Sequence, residues 1–131
     1  MANEVMLNLT IERKWFDMIV DHVKHEEYRE LDNPQCARLF NMHGNDHDFW
    51  RRKAVVILRN GYRMDSPTVA KCITYLAQRN RDSVRHPEWG EPRWRKRHHL
   101  VIGLGNEVAR GTYAEVIEIL GVKTKEEQTY D

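Results

Sequence analysis

Long apolar runs are absent from this 131-residue chain. Nothing in it approaches the roughly 18 consecutive apolar residues of a membrane-spanning helix, which excludes a helical membrane protein. Cysteine is scarce as well. Cys36 and Cys72 lie far apart without a CxxC spacing, and the N-terminus carries no apolar signal core, so a reduced, cytoplasmic protein is expected. Excess charge of one sign is missing: the net charge is only +1, which rules out a polycation built to coat nucleic acid. Repeats and low-complexity tracts are missing too, and with 31% charged and 40% apolar residues the chain is not expected to be disordered. This length supports one domain with a hydrophobic core and not two, so residues 1–131 are read as a single domain.

The charge that is present is unevenly placed. Residues 1–35 hold eight acids against four bases, whereas residues 79–99 hold seven bases against three acids. A neutral protein with that asymmetry can still carry a local phosphate-attracting patch.

Taken in order, Met6 to Ile11 alternates as a strand does, and Thr10 with Glu12 behind it has the form of a helix start. From Glu12 to Val23 the apolar residues Trp15, Phe16, Ile19, Val20 and Val23 fall at helical spacing, which predicts an amphipathic helix. His25 to Leu31 reads as a strand. Asp32-Asn33-Pro34 then opens a short helix to about Phe40, and Met42 to Asp48 reads as loop. Ala54 to Leu58 is an apolar run of buried-strand length closed by the turn signal Asn60-Gly61. Ser66 to Gln78 carries opposed signals, a helix-start pair in Ser66-Pro67 and a strand alternation from Val69 to Leu76, which local pattern leaves open. Arg79 to Arg97, basic and broken by Pro87, Gly90 and Pro92, reads as a long loop; Leu100 to Leu104 reads as a strand. Thr112-x-x-Glu115 has the form of a capping box, opening a helix over 112–120 that stops at Gly121, with a frayed tail over 122–131.

The stretch from Lys24 to Glu30 concentrates the chemistry. On a strand, Glu27 and Arg29 share one face while Tyr28 turns to the other, and Lys24 at the corner can reach the first face. An arginine offers a planar fork to a phosphate or a base edge, a glutamate accepts from an exocyclic amine, and a lysine supplies a phosphate-attracting charge. The plainer reading of the same residues is a surface ion-pair cluster of small energetic worth.

Strand, helix, then strand with Lys24-x-x-Glu27-x-Arg29 at the second crossing resembles the ASCH domain family, whose signature is GxKxxExR in that setting. Arg59-Asn60-Gly61-Tyr62 after the central strand, Glu88-Trp89-Gly90 in the long loop, and Leu100 to Leu104 followed by Gly105 extend the likeness over about residues 5–108. His22 stands where the family carries Gly, so a residue less suited to left-handed geometry must end the first helix. The resemblance implies an α+β fold, a PUA-like small mixed β-barrel with flanking helices, and tips residues 68–76 towards strand. It further implies a cleft lined by Lys24, Glu27 and Arg29, with Arg59, Asn60 and Tyr62 nearby, that binds RNA or a modified nucleotide. The alternative is a small hydrolase in the same cleft, N4-acylcytidine amidohydrolase-like or a ribonuclease, with Lys24 and Glu27 catalytic and Glu88 or Glu91 supplying a further acid. Glu27 speaks against the amidohydrolase, since those relatives carry Thr there. A second alternative is a module that binds another protein.

Trp89, Trp94 and Tyr62 interleave with Arg85, Arg93, Arg95, Lys96 and Arg97, the composition of a stacking platform beside a cationic track. A bland alternative has Trp89 plugging the barrel end. His43-x-x-x-His47 with Asp46 sits in a loop rather than on one helix face, and Gly103-x-Gly105 lacks the third glycine of a dinucleotide loop, so no metal and no cofactor is expected.

Overall fold

The apolar run from Ala54 to Leu58 becomes strand β3 (Ala54–Arg59), and none of those five side chains is more than 2% exposed. The structure, a computed structural model, describes residues 4–30, 33–43, 54–80 and 98–122. Around β3 stand β1 (Glu4–Thr10), α1 (Arg13–Val20), β2 (Glu26–Glu30), α2 (Pro34–His43), β4 (Pro67–Asn80), β5 (His98–Thr112) and α3 (Tyr113–Leu120). The strands form one mixed sheet in the order β1-β3-β4-β5-β2, parallel between β1 and β3 and antiparallel elsewhere.

Strand alternation sorts β3 between two cores. Val55 and Ile57 pack with Ala70, Ala109 and the α3 residues Val116 and Ile117. Ala54, Val56 and Leu58 face the larger cluster, which takes Phe16 and Ile19 from α1 and Cys36 and Leu39 from α2. Burying each of the Val, Leu, Ile and Phe side chains among them contributes about 1.5–3 kcal/mol, so these two layers hold the sheet.

The barrel expected from the resemblance is not closed: among the described residues β1 and β2 are unpaired sheet ends. Shifts in register along β4, between Ala70 and Tyr75, mark irregularities of the bulge kind, which bend a strand pair. The sheet curls until its ends meet through a side chain, where Arg29 Nη2 of β2 donates to the Thr10 carbonyl of β1 at 2.8 Å. Backbone pairing stops short of closure, and an arginine bridges the gap.

Several boundaries differ from the pattern-based reading. Thr10 stays in β1, and the Ile11 amide prolongs the strand by bonding the Arg59 carbonyl, so the N-cap of α1 falls on Glu12, whose side chain makes no capping bond. The helix ends at Val20 rather than Val23, and His22 adopts φ 61 in the turn that follows. Residues 67–80 are strand throughout, so the helix-start signal at Ser66-Pro67 loses to the antiparallel ladders with β3 and β5. β5 runs far past Leu104. Gly105 does not end it, because the irregular pairing with β4 carries the strand on to Thr112. α2 reaches His43 rather than Phe40, and Asn33 Oδ1 accepts the Cys36 amide at its start. The capping box is present as read: the Glu115 amide donates to Thr112 Oγ1 at 3.2 Å, the Thr112 amide to Glu115 Oε1 at 3.0 Å, and Gly121 closes α3 with φ 70.

Arg79 belongs to β4, but most of the expected basic loop, with Glu88, Trp89, Glu91, Arg93, Trp94 and Arg95, lies outside the described residues. So do Asp46, His47 and the tail from residue 123. Among the described residues no helix is long and apolar enough to cross a membrane.

Candidate functional site

Alternation along β2 sets two groups of charges on opposite faces of the sheet. Glu27 and Arg29 pair across to Ile102 and Leu100, which belong to the larger core under α1 and α2. Glu26 and Tyr28 pair to Gly103 and Val101 and point the other way.

On the first face Glu27 is the hub. Its Oε1 accepts from Lys24 Nζ at 3.1 Å and from the Tyr28 amide at 3.1 Å, and its Oε2 accepts from Arg29 Nη2 at 3.0 Å. Lys24 and Glu27 are only 2% and 5% exposed, so this is a buried ion cluster and not the surface one of the plainer reading. Lys24 comes round the edge of β2, with Nζ 5.1 Å from the Trp15 ring centroid and 5.3 Å from that of Tyr28. Only Arg29 keeps appreciable access to solvent, at 23% of its side chain. Its Nη2 is fixed by Glu27 and the Thr10 carbonyl, while its Nε is buried and has no hydrogen-bond partner among the described residues. Burial pushes the Cys36 thiol up to about 11; the nearby Arg29 charge pulls it down and Glu27 pushes it up, so α2 lies against this cluster.

Asn60 joins this face and Arg59 does not. Asn60 Nδ2 donates to the Ile11 carbonyl at 3.0 Å, one residue beyond the carbonyl that holds Arg29. Arg59 falls on the α3 side, where its guanidinium stacks 3.5 Å from the Tyr113 ring centroid and bonds the Gly61 and Arg63 carbonyls of its own turn. Successive residues of one strand point opposite ways, which separates the pair. Tyr62 is 86% exposed on that turn.

Sequence reasoning missed the cluster on the second face. Glu26, 6% exposed, accepts from Tyr28 Oη at 3.0 Å, from Tyr75 Oη, and from Arg79 Nη1 at 3.3 and 3.1 Å. Burial pushes the Glu26 carboxyl up, but the hydroxyls of Tyr75 and Tyr28 and the Arg79 charge outweigh it, and the net shift is downward. Burial and the adjacent Glu26 push the Tyr75 hydroxyl up to about 12 and raise that of Tyr28 further. A carboxyl held below its unfolded value near 4.5 contributes stability that is fully present above that pH and lost as pH falls through the lowered value. Urea titrations from about pH 6 to pH 3 should therefore show an acid-side loss in the wild type that is smaller in Glu26→Gln. Equal losses in the two proteins would remove Glu26 from that role.

No protein-family profile and no curated protein matches the sequence. The fold is similar to that of a mutant of the ASCH protein ZmASCH from Zymomonas mobilis, with a TM-score of 0.50 over 94% of this chain and 91% of that one, at 9% identity. A likeness at that identity concerns the fold alone. It supports the ASCH resemblance read from Lys24-x-x-Glu27-x-Arg29.

Proposed function

On this ASCH-like fold, we propose that the chain acts as a single domain that binds RNA or a modified nucleotide at the Lys24, Glu27 and Arg29 cluster. The observation that carries the reading is Arg29. The side chain is 23% exposed, and its Nη2 is immobilised by Glu27 and the Thr10 carbonyl. A pre-ordered fork that is partly open to solvent suits a phosphate or base acceptor, since little side-chain entropy is lost on binding. Lys24 and Glu27 hold the fork from behind, and Asn60 steadies the adjoining corner. Trp89, Arg93 and Arg95 remain proposed contacts for an extended strand, with Tyr62 on its exposed turn and Arg59 beside it.

A hydrolase at this site has less support. Lys24 would have to leave its ion pair with Glu27 before serving as base or nucleophile. A reducing, cytoplasmic setting fits the free thiols of Cys36 and Cys72.

Fluorescence anisotropy with short labelled RNAs tests the proposal. Affinity should fall steeply with added salt, and Arg29→Ala should weaken binding by about tenfold or more while reducing the salt slope. Binding that ignores both salt and Arg29 would sink it. Release of acid from acylated cytidines, or RNA scission, abolished by Lys24→Ala in a folded protein would favour the hydrolase.

A further inference from the structure

The turn from α1 into β2 rests on a second set of ionisable groups. His22 holds φ 61, a left-handed geometry that costs a non-glycine residue energy unless neighbours fix it. Its Nδ1 lies 3.3 Å from Nζ of Lys71 in β4. An ammonium only donates, so Nδ1 accepts and the neutral ring carries its proton on Nε2. Lys71 is 2% exposed, and His22 is the hydrogen-bond partner of its Nζ among the described residues. Arg110 of β5 donates to the carbonyl of Val20, the last residue of α1, at 3.0 Å. The same guanidinium holds Glu107 Oε1 at 2.6 Å. Two cations from the sheet therefore pin the end of α1. Beyond them, the amides of Val23 and Lys24 both donate to the Met18 carbonyl, at 2.8 and 3.0 Å.

We propose that His22 is a pH-sensitive positioning residue for Lys24: neutral, it accepts from Lys71 and keeps the turn closed; protonated, it loses that bond and frees the turn. His22 is exposed, so protons reach it directly. Among the described residues the charged groups of this corner are Lys71 of β4, which His22 contacts, Glu107 of β5, which pairs with Lys71, Arg110 of β5, which holds the Val20 carbonyl, and Asp21 and Lys24 of the same turn. Arg110 holds Glu107 through Oε1, so the one carboxylate faces two cations, Arg110 and Lys71, before His22 adds a third. A doubly protonated imidazole has no acceptor nitrogen, and a buried ammonium left without one is costly. Burial already lowers the proton affinity of Lys71, against the pull of Glu107.

The consequence for binding rests on the nucleotide reading above, but the switch is testable without ligand. In the full chain, the His22 imidazole and the amides of Val23 and Lys24 are followed by NMR from about pH 8 to 5, in the wild type, His22→Asn and Lys71→Met. Asparagine tolerates positive φ, keeps an acceptor and does not titrate. The wild-type amides should titrate with the midpoint of the His22 ring, and those of His22→Asn should stay flat. In Lys71→Met the amides should no longer follow the ring, because the Nζ–Nδ1 contact that couples them is absent. Wild-type amides that titrate independently of the ring, or amides that move alike in His22→Asn, overturn the proposal. RNA affinity measured alongside should fall several-fold more on acidification in the wild type than in His22→Asn. If no RNA binds at any pH the nucleotide reading fails, while the amide titrations still decide the switch.

Discussion

Replacing Glu27 with alanine is expected to cost about 3–5 kcal/mol of folding free energy, read as a fall in the urea midpoint at unchanged slope. The magnitude follows from what is left behind. Glu27 accepts from Lys24, from the Tyr28 amide and from Arg29, and Lys24 is 2% exposed. Removing the carboxylate strands a buried ammonium and a backbone donor together, so desolvation is no longer compensated. The contrast with Arg13 and Asp17 is instructive: their 3.8 Å pair has side chains 81% and 58% exposed, and losing it should cost within about 0–1 kcal/mol. Glu27→Gln, which keeps an acceptor for the ammonium, should cost less than Glu27→Ala. Lys24→Met combined with Glu27→Leu should recover much of the loss, because apolar replacements of a buried pair are often neutral. A Glu27→Ala protein as stable as the wild type would mean that Lys24 swings out to water, and the buried cluster would not exist in solution.

That cluster was largely legible in the sequence. Period-2 alternation along Glu26 to Glu30 is sufficient to put Glu27 and Arg29 on one face and Tyr28 on the other, and the structure has them so. What it does not carry is the partner across space. Glu26 received no role, because Tyr75 and Arg79 come from a distant strand whose register with β5 depends on bulges. The same rule applied at Arg59 and Asn60 separates them, although motif order had grouped them. Whether the sheet closes is likewise invisible locally, since it depends on the approach of β1 to β2, joined here by Arg29 and the Thr10 carbonyl. Capping at Thr112 and Gly121 was readable because both partners lie within one helix.

Gly103, discounted as part of a dinucleotide loop, has a different use. A glycine inside a strand often marks a close approach, and here the neighbour is the Tyr75 ring. A Cβ at Gly103 would lie 2.3 Å from Tyr75 Cε1, 2.4 Å from Cδ1 and 2.6 Å from Thr74 Oγ1. The bare backbone of β5 thus leaves room for the ring beside Gly103, letting its hydroxyl reach from β4 to Glu26 on β2. Gly103→Ala is therefore expected to destabilise by about 2–5 kcal/mol, combining overpacking with loss of a hydrogen bond to a charged group. A ring displaced by the new Cβ weakens its hold on Glu26, so the two costs arrive together. In a Tyr75→Ala background the ring is gone and Thr74 alone must adjust, so the same glycine substitution should cost less than half as much. Thermal or urea unfolding of the four proteins in that cycle measures the coupling. Strict additivity would show that Gly103 and Tyr75 act independently, and the second face of β2 would then lose its account of why a glycine stands there.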